Sequence, residues 1–497
     1  MTAVEPGAPE EAAPGNKGLR AGALGLVSSV VIGVASTAPG YSLASALGLV
    51  VVAVGLFSPA IMWVSFIPML FIAAGFYFMN KADPDCGTTF TWATKAFGPW
   101  VGWLGGWAAL IAQVIVIANL SQIAGQYSFL LVGADGLAVS TFWVTTIGVI
   151  WIIAMSWICY VGIEASAKSQ YFLLGAEIIA LFAFAAVALV KVYTSDPAGS
   201  IKPSLSWLNP FEISSFSALT AGVLVAIFIY WGWDSTVSVN EETQDSTRTP
   251  GRAAILSTII LLGIYVVVAI AAQAFHGPGF LEENQVDVLA ALGRDVLGSP
   301  LDKLLIIAVL TSASASTQTT ILPSTRTALS MAVQGAFPRQ LANVHPKHLT
   351  PGRATIWMAA ISIAWYVGLT IVSANALYDS IASIGLFIAF YYGVTGLACV
   401  VYFRHQLMKS AKTLVLVGIV PLLGAIMMAY ILVKSVIDLS DPANSESGAS
   451  WFGLGPPLVI AVGFMILGVI LMLFRYATHR TFFQRRPQTA DPAVLDA

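Results

Sequence analysis

Long apolar runs that carry almost no charge constrain the fold of this chain more than any other sequence feature. Several of them exceed about 18 residues, the helix length that crosses roughly 30 Å of hydrocarbon. Only 10% of the 497 residues are charged, whereas soluble globular proteins average about 25%. The sequence therefore predicts an all-α membrane protein that crosses the bilayer many times.

Hydropathy and turn residues divide the chain into twelve predicted membrane spans. They cover residues 20–50, 55–79, 97–132, 139–161, 169–193, 215–240, 252–275, 301–333, 355–373, 377–403, 414–437 and 451–476. Residues 1–18, rich in Ala, Pro, Gly and Glu, are predicted to be a disordered cytoplasmic segment. They lack the layout of a cleavable signal peptide, so the first span is expected to be retained. A transporter domain over 19–476 and a cytoplasmic tail over 477–497, disordered after Arg486, complete the predicted organisation.

The distribution of basic residues orients these spans. Only five of the 23 Lys and Arg residues fall in the predicted outer loops, namely Lys191, Lys202, Arg294, Lys303 and Lys434. This bias follows the positive-inside rule if both termini are cytoplasmic, which predicts a multi-pass protein of the plasma membrane. Losing one internal span would invert every later loop and destroy the bias, whereas losing two would not. The charges therefore support an even number of spans.

The sixth span is interrupted in its middle. Its first part is apolar through Ile229, and then come Tyr230, Trp231, Gly232, Trp233 and Asp234. A carboxylate at bilayer depth is costly unless it faces protein, water, a cation or a proton. Backbone that leaves the helix at that depth is tolerated only where it lines a cavity or is buried in protein. The sequence therefore predicts that this segment forms half of a substrate site.

The first span carries a matching interruption at VVIGVASTAPGY, residues 30–41. Pro39 has no backbone N–H and disfavours helix at Ala38. Paired interrupted helices in two halves of a chain are typical of transporters built on inverted repeats. A broken helix offers free N–H groups to a carboxylate and free carbonyls to an amine. The predicted binding residues of this span are Gly33, Ala35, Ser36 and Thr37. Kinks at Pro and Gly without a binding role are the alternative.

Several of these polar residues have more than one plausible role. Asp234 can neutralise a substrate amine, carry a proton or cap the short half-helix after it. Trp231, Trp233 and Tyr230 can close over a substrate or stack on a cation, and one indole is expected to pack toward lipid. Glu177 in the fifth span is a candidate proton carrier, because burial disfavours its charged form. A static hydrogen bond to a neighbouring helix is the alternative for Glu177.

The eighth span contains a run of small hydroxyl residues, TSASASTQTT, from position 311 to 320. Such residues favour close helix packing and hydrogen bonds between helices. A second possibility is that Ser314 and Thr317 join carbonyls of the first span around an ion. Gln113, Asn119 and Tyr391 are further candidates to line the site.

Other classes of function lack support in the sequence. There is no P-loop, GxSxG, HExxH or CxxC pattern, so no enzyme activity, metal or cofactor is predicted. The three cysteines are far apart and show no disulfide or metal spacing. The net charge of −2 argues against a nucleic-acid partner.

Three segments resemble the amino acid–polyamine–organocation permeases. They are CGTTFTWATKAFGPWVGWLGGW at 86–107, the segment 230–252, and STRTALSMAVQGAFPRQLANVHPKHLTPGR at 324–353. In the second segment the matching residues are Gly232, Trp233, Asp234, Glu241, Glu242, Pro250, Gly251 and Arg252.

The resemblance implies a five-plus-five inverted-repeat fold, with repeats over about 20–193 and 215–403 and two further helices over about 414–476. It also implies alternating access, with the substrate carboxylate at the break in the first span and the amine at carbonyls of the first and sixth. The sequence departs from the family at Gly33-Val34-Ala35, where glycine-small-glycine is usual. It also has Glu177 where some proton-coupled members carry lysine.

These observations predict a secondary transporter for amino acids or related amines, coupled to H⁺. A polyamine importer is the first alternative, because Asp234 and Glu177 favour cationic or zwitterionic substrates. An ion channel or potassium transporter on a related fold is the second, although no repeated selectivity element is present. The expected partners are a small-molecule substrate, the lipid bilayer and the coupling ion.

Overall fold

The computed structural model describes residues 17–495 except positions 286, 373 and 446, so most of the predicted disordered segment 1–18 lies outside the described residues. The α-helices are α1 (Leu26–Ser36), α2 (Pro39–Val54), α3 (Ser58–Ala82), α4 (Thr89–Phe97), α5 (Pro99–Leu131), α6 (Asp135–Ala138), α7 (Thr141–Val161), α8 (Ile163–Thr194), α9 (Phe216–Ile229), α10 (Ser235–Ser238), α11 (Thr249–Glu283), α12 (Val288–Leu297), α13 (Lys303–Val333), α14 (Gly352–Val372), α15 (Ala374–Tyr402), α16 (Ala411–Thr413), α17 (Val420–Ser440) and α18 (Pro456–Thr478).

Short helices of other types connect these elements. A π-helix over Leu414–Ile419 joins α16 and α17 into one helical run. The 3-10 helices cover Gly55–Phe57, Leu205–Leu208, Pro210–Glu212, Asn240–Glu242, Arg339–Ala342, Leu407–Lys409, Pro442–Asn444 and Phe482–Gln484. Within the described ranges there is no β-strand, only two isolated bridges, one of which pairs Leu24 with Thr243.

Ten helical runs in the described part of the chain are long and apolar enough to cross a membrane. That number takes Leu26–Ala82 as one run, although it contains α1, α2 and α3, and it leaves out the shorter apolar helix Phe216–Ile229. The prediction of an all-helical protein with many membrane crossings is therefore confirmed.

Two long helices, α5 and α13, pack along each other in the centre of the molecule. In α13 every residue from Ser312 to Ala332 is buried, and many of these side chains are small hydroxyls. Small residues let helix backbones approach closely where no hydrophobic effect drives association. The helix α13 also packs against α1, α2, α8 and α10, so it reaches both predicted interruptions.

Lys17, α4 and the residues after α18 share one face of the molecule, which we call the terminal face. Lys17 bonds to Asp85 just before α4, and the residues after α18 bond to α4 itself, through Gln488 N and Lys95 O. Residues 487–495, which the sequence predicts to be disordered, instead run along this face in hydrogen-bonded contact with it. Long-range contacts of this kind leave no local mark in the sequence.

Candidate functional site

The break between α1 and α2 spans Thr37 and Ala38. Ala38 has φ 48° and ψ 63°, a left-handed conformation that a residue with a side chain seldom adopts. Pro39 follows at the first position of α2, where its missing N–H costs nothing. The sequence thus makes the helix end and restart inside an apolar run.

The first turn of α2 directs its free N–H groups at polar side chains of other helices. Gly40 N donates to Glu177 Oε1 in α8 at 2.7 Å, and Tyr41 N donates to Ser312 Oγ in α13 at 3.2 Å. An unpaired N–H group and the positive end of a helix dipole attract negative charge. Glu177 therefore occupies the kind of position that a substrate carboxylate would seek.

The second break separates α9 from α10. The C-terminal carbonyl of α9, Ile229 O, accepts the Tyr265 hydroxyl at 2.5 Å, and the Tyr230 hydroxyl donates to Met62 O at 2.9 Å. Gly232 has φ 120°, which is open to glycine and strained for any other residue. These contacts fix the end of α9 against α11 and α3.

The two breaks meet at Gly232 and Ser36. A Cβ atom on Gly232 would lie only 2.7 Å from Ser36 O, so glycine is required by space as well as by conformation. Ser36 Oγ and Ser235 Oγ are 2.7 Å apart, and Ser316 Oγ in α13 donates to Ser36 O at 2.8 Å. The chain ends of α1 and α10 are thereby hydrogen-bonded to each other and to α13.

Asp234 is buried, with 6% of its surface exposed, and α15 supplies its hydrogen-bond donors. Tyr392 OH donates to Oδ1 at 2.9 Å, and Tyr391 OH donates to Oδ2 at 3.2 Å. Trp231 Nε1 in turn donates to Tyr391 OH at 2.5 Å. A buried carboxylate without donors would be costly, so this pair of tyrosines is what permits Asp234 at this depth. Asp234 makes no capping bond to α10, so the structure does not give it that alternative role.

Both indoles of the break face protein, so the expectation that one packs toward lipid is wrong. Trp231 is 7% exposed and Trp233 is fully buried. The Trp233 ring packs against Phe76 and Tyr392, with centroids 5.1 Å and 5.3 Å away. Aromatic partners from α3 and α15 thus hold the α9–α10 connection on two sides.

The remaining predicted site residues divide into two groups. Gly33 lies against Thr236 and Ser257 and Ala35 is fully buried, so both pack α1 onto its neighbours. The Ser314 and Thr317 hydroxyls donate to Leu310 O and Ala313 O of their own helix, and their role around an ion stays a prediction. The α13 hydroxyls that bond to the first break are those of Ser312 and Ser316. Their i, i+4 spacing places them on one face of α13, which is the signal that could have identified them.

Several buried polar atoms near the breaks have no hydrogen-bond partner within the described residues. Asn119 Oδ1 accepts the Tyr41 hydroxyl, but Asn119 Nδ2 does not donate, and Gln113 Oε1, Glu177 Oε2 and Trp233 Nε1 are likewise unpaired. Buried polar atoms normally have a partner, whether protein, water or ligand. These atoms are therefore candidates to meet water, a proton or a substrate.

The terminal face carries an ion-pair cluster. Lys17 pairs with Asp85 at 2.9 Å and also with Glu241. The fully buried Arg326 in α13 forms a bidentate salt bridge with the neighbouring Glu242. Its Nε and Nη2 atoms each donate to one carboxylate oxygen at 2.9 Å. These residues join the segments before α1, before α4 and after α10 to α13.

Burial would lower the pKa of Lys17, but its charged neighbours, including both carboxylates, hold it above the usual range. Burial also opposes ionisation of Asp85, yet Lys17 keeps the pKa of that carboxyl below its ordinary value. Burial raises the pKa of Glu241 despite Lys17. Asp85, Cys86 and Glu241 are close enough together to hold a metal ion. The Lys17 ammonium already supplies the positive charge between the two carboxylates. Burial raises the pKa of the Cys86 thiol well above its usual value.

Several known proteins and one family model are similar to this chain in sequence. The family model described as "Amino acid permease" matches residues 22–464. An uncharacterized transporter of Mycobacterium tuberculosis is 25% identical over 75% of this chain and 76% of its own length. The branched-chain amino acid permease BcaP of Bacillus subtilis is 24% identical over 59% of this chain and 63% of its own length. The human Asc-type amino acid transporter 1 is 24% identical over 76% and 70%.

Proposed function

Because this chain belongs to the amino acid permease family of the amino acid–polyamine–organocation superfamily, we propose that it is a proton-coupled secondary transporter of neutral amino acids that works by alternating access. The observation that carries the proposal is the meeting of two helix breaks at Ser36 and Gly232, beside two buried carboxyl groups. Such a meeting offers N–H groups, carbonyls and acids within one small region, which is the chemistry that a zwitterion requires.

In the proposed topology, twelve spans form two inverted repeats of five and a final pair. The helices α1 with α2, and α9 with α10, are each one interrupted span of this set. The two repeats begin with these interrupted spans, and the α16–α17 run and α18 complete the set. The terminal face is cytoplasmic, in agreement with its excess of basic residues. Binding of substrate between the breaks, followed by tilting of the broken helices, exposes the site to one side at a time.

The position of Glu177 supports proton coupling. A substrate carboxylate that approaches the first turn of α2 meets Gly40 N, which already donates to Glu177 Oε1. Two carboxylates sharing one site repel each other unless one is protonated. We therefore propose that Glu177 binds a proton when the substrate carboxylate binds, and that both cross the membrane in the same cycle. The substrate amine is then received near Asp234 and the carbonyls of the breaks.

The experiment is uptake of a panel of labelled amino acids and diamines into proteoliposomes that contain the purified protein. Uptake of neutral amino acids that rises with an imposed proton gradient, and falls when a protonophore dissipates it, is expected. Uptake that follows a sodium gradient and ignores protons would contradict the coupling. A panel without any transported compound would contradict the function.

A polyamine importer is the second candidate. It is favoured by the two buried acids, Asp234 and Glu177, which can each attract an ammonium group. A polyamine is a less favoured substrate than an amino acid, because the acids already have hydrogen-bond donors. Both oxygens of Asp234 accept tyrosine hydroxyls, and Oε1 of Glu177 accepts an N–H group. Uptake of diamines but not amino acids in the same panel would reverse this order.

A further inference from the structure

The chain after α18 folds back over the terminal face as an ordered segment, residues 482–495, which we call the strap. Phe482 is buried and stacks on Phe90 of α4 with ring centroids 5.6 Å apart. Arg485 donates to the side chain of Gln334, just after α13, at 2.5 Å. The strap is therefore anchored at its start to α4 and to the end of α13.

Further along, two backbone N–H groups of the strap satisfy the last turns of two helices. Gln488 N donates to Lys95 O of α4 at 2.6 Å, and Ala490 N donates to Tyr402 O of α15 at 2.9 Å. The last four carbonyls of a helix lack partners within the helix, so bonds of this kind stabilise its end. One extended segment thus ties the end of α4 to the end of α15.

A buried amide on the body of the protein provides the matching contact. Gln406 is 2% exposed, and its Nε2 donates to Ala490 O at 3.0 Å and to Asp491 O at 2.9 Å. Lys409 Nζ donates to Pro492 O at 3.0 Å. A buried amide that lost its acceptors would carry a desolvation cost. The Gln406 side chain therefore forms a specific, buried binding site for the strap.

The strap holds the helix that also holds the substrate site. Tyr391 and Tyr392, which bond to Asp234, lie on α15 about three turns before Tyr402. A shift of α15 that separates these tyrosines from Asp234 must also strain the contacts at Tyr402 and Gln406. We propose that the strap is an autoinhibitory clamp, which keeps α15 in the position that bonds Tyr391 and Tyr392 to Asp234 until the strap detaches from the terminal face. This rests on the proposed function, because the clamp acts on the opening step of the transport cycle.

The test compares two variants that loosen the strap. One ends the chain after Gln484, and the other is Gln406→Ala, which removes the receptor but keeps the tail. Thr489→Ala, an exposed strap position, is the matched control. Initial uptake of the transported amino acid should rise at least about fivefold in both loosened variants, because the loss of even one hydrogen bond of about 1 kcal/mol gives this change. A synthetic peptide of residues 485–495, all of which the truncation removes, should return the truncated protein to the wild-type rate when it is added on the terminal face.

Maleimide labelling of Cys86 gives a readout that needs no transport. This thiol is buried on the terminal face, and peptide mass spectrometry separates it from Cys159 and Cys399. Both loosened variants should label Cys86 faster than wild type, and the peptide should slow labelling of the truncated one. Equal or slower labelling in Gln406→Ala protein with a wild-type melting temperature would overturn the clamp. Absence of uptake in wild type would contradict the proposed function alone, since the labelling still tests the clamp.

Discussion

At the scale of single residues, we propose that the substrate site depends on the negative charge of Asp234. Replacing it in Asp234→Asn keeps the shape but removes the negative charge that two tyrosine hydroxyls stabilise. A hydrogen bond to a charged group contributes about 1.5–3 kcal/mol, so amino acid uptake should fall by at least about tenfold while the protein still reaches the membrane. Initial rates in proteoliposomes measure this. Asp135→Asn, at an exposed position, is the control, and full activity of the Asp234 variant would remove this residue from the site.

For Glu177 the prediction concerns coupling, because we propose that the protonation of its side chain couples transport to the proton gradient. The amide in Glu177→Gln mimics the protonated acid and can still accept from Gly40 N. We expect exchange of internal for external substrate to continue while stimulation of uptake by a proton gradient disappears. Exposed Glu212→Gln should keep that stimulation. A gradient response preserved in Glu177→Gln would assign the proton to another group.

The sequence predicts some of these residues and not others for a physical reason. Gly232 and Asp234 are conspicuous because a flexible residue and a charge stand inside an apolar run. Tyr392 was missed, since a tyrosine near the middle of an apolar helix is ordinary and only the folded chain brings it to Asp234, 158 residues away. Ser312 and Ser316 cannot be distinguished by sequence from the other polar residues in a run of ten. Only the orientation of α13 in the folded chain decides which hydroxyls face the first break.

At the scale of elements, the contact between the two breaks depends on one glycine. In Gly232→Ala the added Cβ would need space 2.7 Å from Ser36 O and a φ of 120°, which together cost on the order of 1–3 kcal/mol. The melting temperature in detergent and the uptake rate should both fall. Gly263→Ala, within α11 and with nothing near its Cβ, should be neutral or slightly stabilising. Equal behaviour of the two variants would show that the breaks tolerate separation.

At the scale of the whole molecule, Lys17 closes the terminal face by joining parts of the chain that are far apart in sequence. Lys17→Met would leave Asp85 and Glu241 buried without their cation, at a cost of roughly 3 kcal/mol. The melting temperature at pH 7 should therefore drop, and maleimide labelling of Cys86 should quicken. Lys347→Met, at an exposed site, should change neither. Unchanged melting and labelling in Lys17→Met would mean that the cluster does not close this face.

The same variant has a predictable dependence on pH. In wild type the pKa of Asp85 is lowered by Lys17, so its stabilising contribution is present above about pH 4 and is lost as the pH falls through the lowered pKa. Without Lys17, burial raises the pKa of both carboxyls, and protonation relieves the variant. The difference in melting temperature between variant and wild type should accordingly shrink as the pH falls from 7 to 5. A constant difference would contradict this account.

Backbone hydrogen bonds between the segments that flank α1 and α10 limit how these two helices can move. Leu24 N donates to Glu242 O at 3.0 Å and Gln244 N donates to Leu24 O at 2.8 Å, so the strand-like stretches beside α1 and α10 are stitched together. Because α1 and α10 are joined beside their outer ends and are in contact at their inner ends through Ser36 and Ser235, we expect the two helices to move as one unit. Passage toward that side of the bilayer would then be governed by a single coordinated event rather than by two independent gates.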